Sequence, residues 1–227
     1  MELALFSNDE LKLKHPFSMI LAGNRRTGKT QFIKRVLLER ERFITPAVEH
    51  VIWFYAAPQW DVFNELQAAM NDGVEFVRGL PENINDEYLN AKYGGKLIVL
   101  DDLMEEASSR SDIKHLFTRG RHENASVVFL TQNLFHKAKH AREMSINSDY
   151  VVLFKNPRDA STITNLGRQM GNAKFLQEAY RDATKEPFSH LFMDLRSDTK
   201  DALRYRGNIF SEFPVVYAPS LSGKTYK

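Results

Sequence analysis

The segment Gly23-Asn24-Arg25-Arg26-Thr27-Gly28-Lys29-Thr30 constrains this chain more than any other, because it joins two elements of opposite character. Before it runs Phe17-Ser18-Met19-Ile20-Leu21-Ala22, a short apolar stretch suited to a buried strand. After it, Gln31 to Arg42 carries Ile33, Val36, Leu37 and Arg40 at helical spacing. The segment itself fits G-x-x-x-x-G-K-[ST], a loop whose backbone N–H groups point inward at a phosphate. The helix that follows adds the partial positive charge of its N-terminus. In such a loop Gly23, Asn24, Arg25, Arg26, Thr27, Gly28, Lys29, Thr30 and Gln31 cradle the nucleotide. Lys29 reaches the β- and γ-phosphates, and the Thr30 hydroxyl helps to hold Mg²⁺. With glycine at about 7% of residues, chance produces the pattern in roughly one chain of this length in a hundred. The correct flanks narrow it further.

A second apolar run, Leu97-Ile98-Val99-Leu100, ends in Asp101-Asp102. A carboxylate at the C-terminal end of a buried parallel strand lies where open α/β sheets bind ligands. Asp101 is expected to hold Mg²⁺ and Asp102 to polarise the attacking water. Acids at strand ends are common, so the phosphate loop is what gives this pair its meaning. Glutamate is the commoner residue at the second position. Gln132 follows the run Ser126 to Thr131. If that strand lies between the loop strand and the Asp101 strand, the Gln132 amide points at a γ-phosphate; otherwise it is a polar turn residue.

The remaining pattern is short apolar strands alternating with helices. Val51–Tyr55, Val74–Val77, Tyr150–Phe154 and Leu191–Met193 read as strands. Residues 62–70, a weak segment at 86–92, 156–170 and 175–180 read as helices. This predicts an α/β fold with a parallel sheet flanked by helices. Residues 1–210 are expected to form one domain, with 211–227 as an aperiodic, flexible tail. Gly223-Lys224-Thr225 imitates the end of a phosphate loop but lacks the first glycine and the flanking strand.

No apolar run approaches the roughly 20 residues that span a bilayer. Met1 to Lys14 is too charged for a secretory signal. The absence of cysteine excludes disulfides and thiolate metal sites, and the histidines show no ligand spacing, so Mg²⁺ is the one metal expected. A net charge of +2 is too small to argue nucleic-acid binding alone. Two basic segments, 118–122 and 135–142, are either solvated faces or functional. Arg119, Arg121 and Arg142 are candidates to reach a neighbour's nucleotide, and Lys137, Lys139 and His140 to follow a nucleic-acid backbone.

Four ordered blocks carry a resemblance: the loop at 23–30, LIVLDDLM at 97–104, LFTRGRHENASVVFLTQNLF at 116–135 and REMSINSDYVVLFKNPRD at 142–159. Together they resemble the genome-packaging ATPases of double-jelly-roll DNA viruses, the Polinton/Maverick, virophage and adenovirus-like group of the FtsK/HerA superfamily. The resemblance implies a RecA-like P-loop NTPase core with an added strand between the loop strand and the metal-acid strand. It implies ATP with Mg²⁺, Gln132 as polar sensor, and a homo-oligomeric ring acting on double-stranded DNA and viral capsid or vertex proteins. It also implies an arginine supplied to the neighbouring site, with Arg121 or Arg119 as the source, and no membrane. The expected location is inside the infected host, in nucleus or virus factory, or with the virion. Arg25-Arg26 depart from the small residues common in such loops, and Arg121-His122-Glu123-Asn124 is less basic than the group's pattern. A nucleotide-gated capsid assembly protein with little turnover and a P-loop nucleotide kinase are the alternatives.

Overall fold

Strands that are apolar at every position must be covered on both faces, and this dictates the architecture. The computed structural model describes residues 8–84, 88–89, 95–134, 140–157 and 160–219. Its strands are β1 (Leu13–Lys14), β2 (Ser18–Ala22), β3 (Ile44–Thr45), β4 (His50–Tyr55), β5 (Val74–Arg78), β6 (Lys96–Asp101), β7 (Ala125–Thr131), β8 (Tyr150–Phe154), β9 (His190–Asp194), β10 (Tyr205–Gly207) and β11 (Val215–Tyr217). The helices are α1 (Lys29–Leu38), α2 (Arg40–Phe43), α3 (Trp60–Met70), α4 (Met104–Ser109), α5 (Ser111–Arg119), α6 (Ala141–Ile146), α7 (Ala160–Gln169) and α8 (Ala173–Ala183).

Among the described residues the main sheet has the order β11-β10-β9-β8-β2-β7-β6-β4-β5. From β8 to β5 the pairing is parallel; β9, β10 and β11 extend it antiparallel. β1 and β3 form a separate parallel pair. The two-residue side-chain period of a strand divides the core into two layers. On one face Met19, Leu21, Trp53, Val99 and Val128 pack with Phe32, Ile33, Val36 and Leu37 of α1 and Phe63 and Leu66 of α3. On the other, Ile20, Phe54, Leu100, Phe129 and Leu153 pack with Ile113 and Leu116 of α5, Ile163 of α7 and Leu176 of α8.

The parallel α/β architecture expected from the sequence is therefore present, with two local differences. The single helix read over 31–42 is two, because the backbone turns at Glu39 between α1 and α2. The segment read as a loose tail from 211 onward contains β11, whose Val215 and Tyr217 pair with Gly207 and Tyr205 of β10. Three residues are too few to show periodicity, and only the pairing reveals the strand; Tyr217 also donates its hydroxyl to Asp182 at 2.8 Å. The weak helix read at 86–92 and the basic residues Lys137 and Lys139 lie mostly or wholly outside the described residues.

The junction of β9 and β10 rests on buried charge. Asp194, fully buried, accepts from Arg196 Nη2 at 2.8 Å, Arg206 Nη2 at 3.1 Å and Thr199 Oγ1 at 2.7 Å. Arg206 is itself buried and donates to the carbonyls of Leu203 and Leu11 at 2.7 and 2.9 Å. Removing one partner of a buried pair strands the other. Asp194→Ala should therefore cost about 3–5 kcal/mol, read in urea unfolding as a lower midpoint at unchanged m-value.

Candidate active site

The parallel register brings three strand tips to one level. Ala22 at the end of β2 stands beside Thr131 of β7, and Leu130 of β7 beside Asp101 of β6. The strand carrying Gln132 thus lies between the loop strand and the metal-acid strand, as the sequence reading required. The chain leaves β2 toward β4 on one side, whereas from β7 it returns past β2 to β8. A crevice outside the carboxyl ends of strands, where connections diverge in this way, is the usual ligand site of an open α/β sheet.

The loop is built for close approach. A Cβ on Gly23 would lie 2.6 Å from Phe154 Cβ and 2.9 Å from Thr27 Oγ1, so only glycine fits there. Gly28, at φ 99°, turns the chain into α1 and accepts from Phe32 N at 2.8 Å. Thr27 Oγ1 donates to the Asn24 carbonyl at 2.9 Å, and Asn24 Nδ2 to Asn156 Oδ1 at 3.0 Å, which ties the loop to the tip of β8. Lys29 Nζ donates to the loop's own carbonyls, Gly23 at 2.6 Å and Asn24 at 2.9 Å. Burial lowers the Lys29 pKa, against the pull of Asp101 and Asp102, and Arg25 pushes the same way as burial. Arg25 and Arg26 are exposed on the rim, Arg26 at φ 62°, and Gln31 is exposed on α1.

Asp101 is 6% exposed, and its pKa is pushed up to about 6, first by burial and then by the neighbouring Asp102. Lys29, Thr30 and the Trp53 indole pull the other way. That indole N–H is buried and makes no hydrogen bond of good geometry, though it faces the carboxylate. Gln59, just beyond β4, donates one and the same Nε2 to Thr30 Oγ1 at 3.1 Å and to Asp101 Oδ2 at 3.2 Å. Two hard oxygen atoms therefore converge on one point. No cluster of three or more His, Cys, Asp or Glu residues is found among the described residues. One carboxylate and one hydroxyl suit Mg²⁺, which keeps waters and takes its other ligands from substrate phosphates. Gln59 escaped the sequence reading, although a polar residue just past the second strand was its signal.

Asp102 is exposed and sits at φ 56°, a conformation that turns its carboxylate away from the strand direction. It accepts from Gln132 Nε2 at 3.3 Å. The site therefore unites Lys29, Thr30, Asp101, Asp102 and Gln132 with the loop in one cleft of about 730 Å³.

The arginines are elsewhere. Arg119 and Arg121 precede β7, and its seven residues put them roughly 20 Å from Gln132 at the rise of a strand. Arg121 forms an ion pair with buried Asp149, which also accepts from Ser18 N at 2.8 Å. Neither completes the site of its own subunit, and the nearer role of Arg121 is to neutralise Asp149. His140, expected to follow a nucleic-acid backbone, is instead 7% exposed and packed inside. Arg142 is exposed on α6, outside the cleft.

With this geometry in hand the comparisons become informative. Residues 4–176 match the family described as poxvirus A32 protein. The chain belongs to that family. Its fold is similar to the genome packaging NTPase B204 of Sulfolobus turreted icosahedral virus 2 in complex with AMP, at 12% identity and a TM-score of 0.56, over 91% of this chain and 98% of that one. The DNA-packaging ATPase B204 of Sulfolobus turreted icosahedral virus gives 13% identity and a TM-score of 0.56, over 91% and 99%. No curated protein matches the chain in sequence. The resemblance carried by the four sequence blocks is borne out at the level of a viral packaging-type P-loop NTPase. Among the described residues, no helix is long and apolar enough to cross a membrane.

The electrostatics predict a pH effect on stability. Because the folded pKa of Asp101 is raised, ionising it opposes folding: the penalty is absent below about pH 3, grows from there toward pH 6 and is complete above it. A rise of about two units corresponds to on the order of 3 kcal/mol. Asp101→Asn should raise the metal-free thermal midpoint at pH 8 by on the order of 5–10 °C, with no gain at about pH 3. Differential scanning fluorimetry across pH measures both.

Proposed function

We propose that this chain is an ATP-hydrolysing subunit of a ring that drives double-stranded DNA into a viral capsid. The observation that carries the reading is the bond from Gln132 to Asp102 across the tips of β7 and β6, beside the phosphate loop at the tip of β2. A neutral amide joined to a carboxylate at that point suits the holding of a water for attack on a γ-phosphate. Membership of the A32 family and the likeness to B204 support the packaging role.

In this reading the Lys29 ammonium leaves the carbonyls of Gly23 and Asn24 for the phosphate oxygens of ATP. Thr30 and Asp101 hold Mg²⁺, which when bound neutralises charge on the β- and γ-phosphates. Gln59, whose amide donates to both Thr30 and Asp101, would be the protein group that gives up its place to the cation. Asp102 accepts the proton of the attacking water, and Gln132 orients that water and reports whether the γ-phosphate is present.

Head-to-tail contact in a ring sets one subunit's far sheet edge toward the next one's nucleotide. Arg119, exposed at that edge, is the better source of a trans arginine, since Arg121 is held by Asp149. Lys137 and Lys139 follow the DNA backbone, capsid or vertex proteins anchor the ring, and the work is done inside the infected host, in nucleus or virus factory, or at the virion. A second reading, a nucleotide-gated assembly protein with little turnover, is favoured by Asp102 being one methylene shorter than the commoner glutamate.

Steady-state ATP hydrolysis with and without linear double-stranded DNA, over a range of protein concentrations, separates the two. The motor requires stimulation by DNA that rises more than linearly with protein. Lys29→Ala should lower turnover by at least about 100-fold, and Gln132→Ala by about 10- to 100-fold with nucleotide binding kept. DNA-indifferent turnover removes the translocase, and binding without turnover favours the assembly protein.

A further inference from the structure

The cleft extends beyond the phosphate chemistry. Past the loop it is walled by Phe32, Arg35, Phe154, Phe188, His190 and Phe210, and these residues have no part in the reaction proposed above. Phe188 is 69% exposed, an unusual state for so large an apolar side chain. It also sits at φ 63°, a left-handed conformation that costs a bulky residue energy and that recurs at ligand sites. Its Cβ and Cδ1 lie 3.6 and 3.7 Å from where a Cβ on Gly28 would stand, so it borders the last glycine of the loop.

A further part of the lining comes from the segment that follows β10. Phe210 packs edge-on against Phe32, with ring centres 5.1 Å apart, and Arg35 lays its guanidinium over Phe210 at 4.5 Å. Arg42 holds the segment by donating to the Ser211 carbonyl at 3.0 Å. His190 is 6% exposed and completes the wall edge-on to Phe32, at 4.8 Å. Burial keeps it neutral, with a pKa near 4.

This end of the cleft is lined mostly by aromatic rings. Arg35 is engaged with Glu39 Oε1 at 2.9 Å, and His190 is enclosed, with the Phe188 backbone beside its ring and no hydrogen bond of good geometry. An aromatic face accepts any base, since every base has a π-face, and gains most from the larger purines. We propose that Phe188 and Phe210 form the nucleobase seat of this site, gripping the base by stacking and so accepting purine nucleoside triphosphates with little choice between adenine and guanine. The seat rests on the reading of the loop as the triphosphate site.

The test is equilibrium binding of ATP, GTP, CTP and inorganic tripolyphosphate to the full chain, wild type and Phe188→Ala, by calorimetry. Phe188→Ala should weaken ATP and GTP alike by roughly 5- to 100-fold and leave tripolyphosphate, which has no base, unchanged. Phe188→Tyr, which keeps the ring, should restore both. Phe188 is exposed, so the variants should keep the fold, and their thermal midpoints check it. Unchanged ATP affinity in Phe188→Ala overturns the seat, as does equal loss of ATP and tripolyphosphate, which would mean that Phe188 acts on the loop alone. A wild-type preference for ATP over GTP greater than about tenfold overturns recognition by stacking. If the wild type binds neither ATP nor tripolyphosphate, the triphosphate site itself is wrong, and the seat falls with it.

Discussion

Everything in this molecule depends on the parallel register of β2, β7 and β6. The side-chain period of a strand is two, so a slip of one residue would send the Asp101 carboxylate to the opposite face and separate Asp102 from Gln132. Burial on both faces resists such a slip, because each strand would have to exchange its two apolar sets at once. The far end of the sheet is fastened separately. Asp149 takes the backbone N–H of Ser18 at the start of β2, at 2.8 Å, and is neutralised by Arg121. A charge pair at one edge of the sheet thus holds the strand whose other end carries the phosphate loop.

The catalytic edge, by contrast, is left electrostatically incomplete. Asp101 is buried with its pKa raised, Lys29 is partly desolvated with its own lowered, and the Trp53 indole donor beside Asp101 is unpaired. A fold selected only for stability would neutralise or remove these groups. In the proposed function a triphosphate and a divalent cation would complete them: phosphate oxygens would accept from Lys29, and the cation would stabilise the Asp101 anion. The Gln59 amide, bonded to both Thr30 and Asp101, partly compensates them in the absence of the cation.

Legibility in the sequence followed the length and uniformity of each signal. The loop, the strands β2, β4, β6, β7 and β8, and the position of Asp101 and Gln132 at strand ends were readable because continuous apolar runs of four or five residues mark those strands. Asp102 could be named, but its left-handed backbone and its bond to Gln132 could not, since both arise from the meeting of two strands distant in the chain. β10 and β11 are three residues each, below the length at which a period shows. His140 misled because a basic residue in a charged run reads as exposed, while tertiary contacts bury it; Arg121 is exposed, as its run suggests, and its pairing with Asp149 is visible only in the fold.

The boundary of the family match is itself informative about how the site is assembled. Residues 4–176 contain every group proposed to act on phosphate, from Gly23 to Gln132. Phe188, His190 and Phe210 lie beyond it, on the antiparallel extension that begins with β9. Because β9 runs opposite to β8, its first residue, His190, stands beside Phe154 at the nucleotide edge, whereas a parallel strand would have carried it to the far side. The reversal of direction is therefore what delivers an aromatic wall to the cleft. Phosphate handling demands fixed residues at fixed spacing, and a short motif can record it. Base stacking demands only ring faces at the right place, which many sequences supply, so it leaves no motif and must be read from the fold.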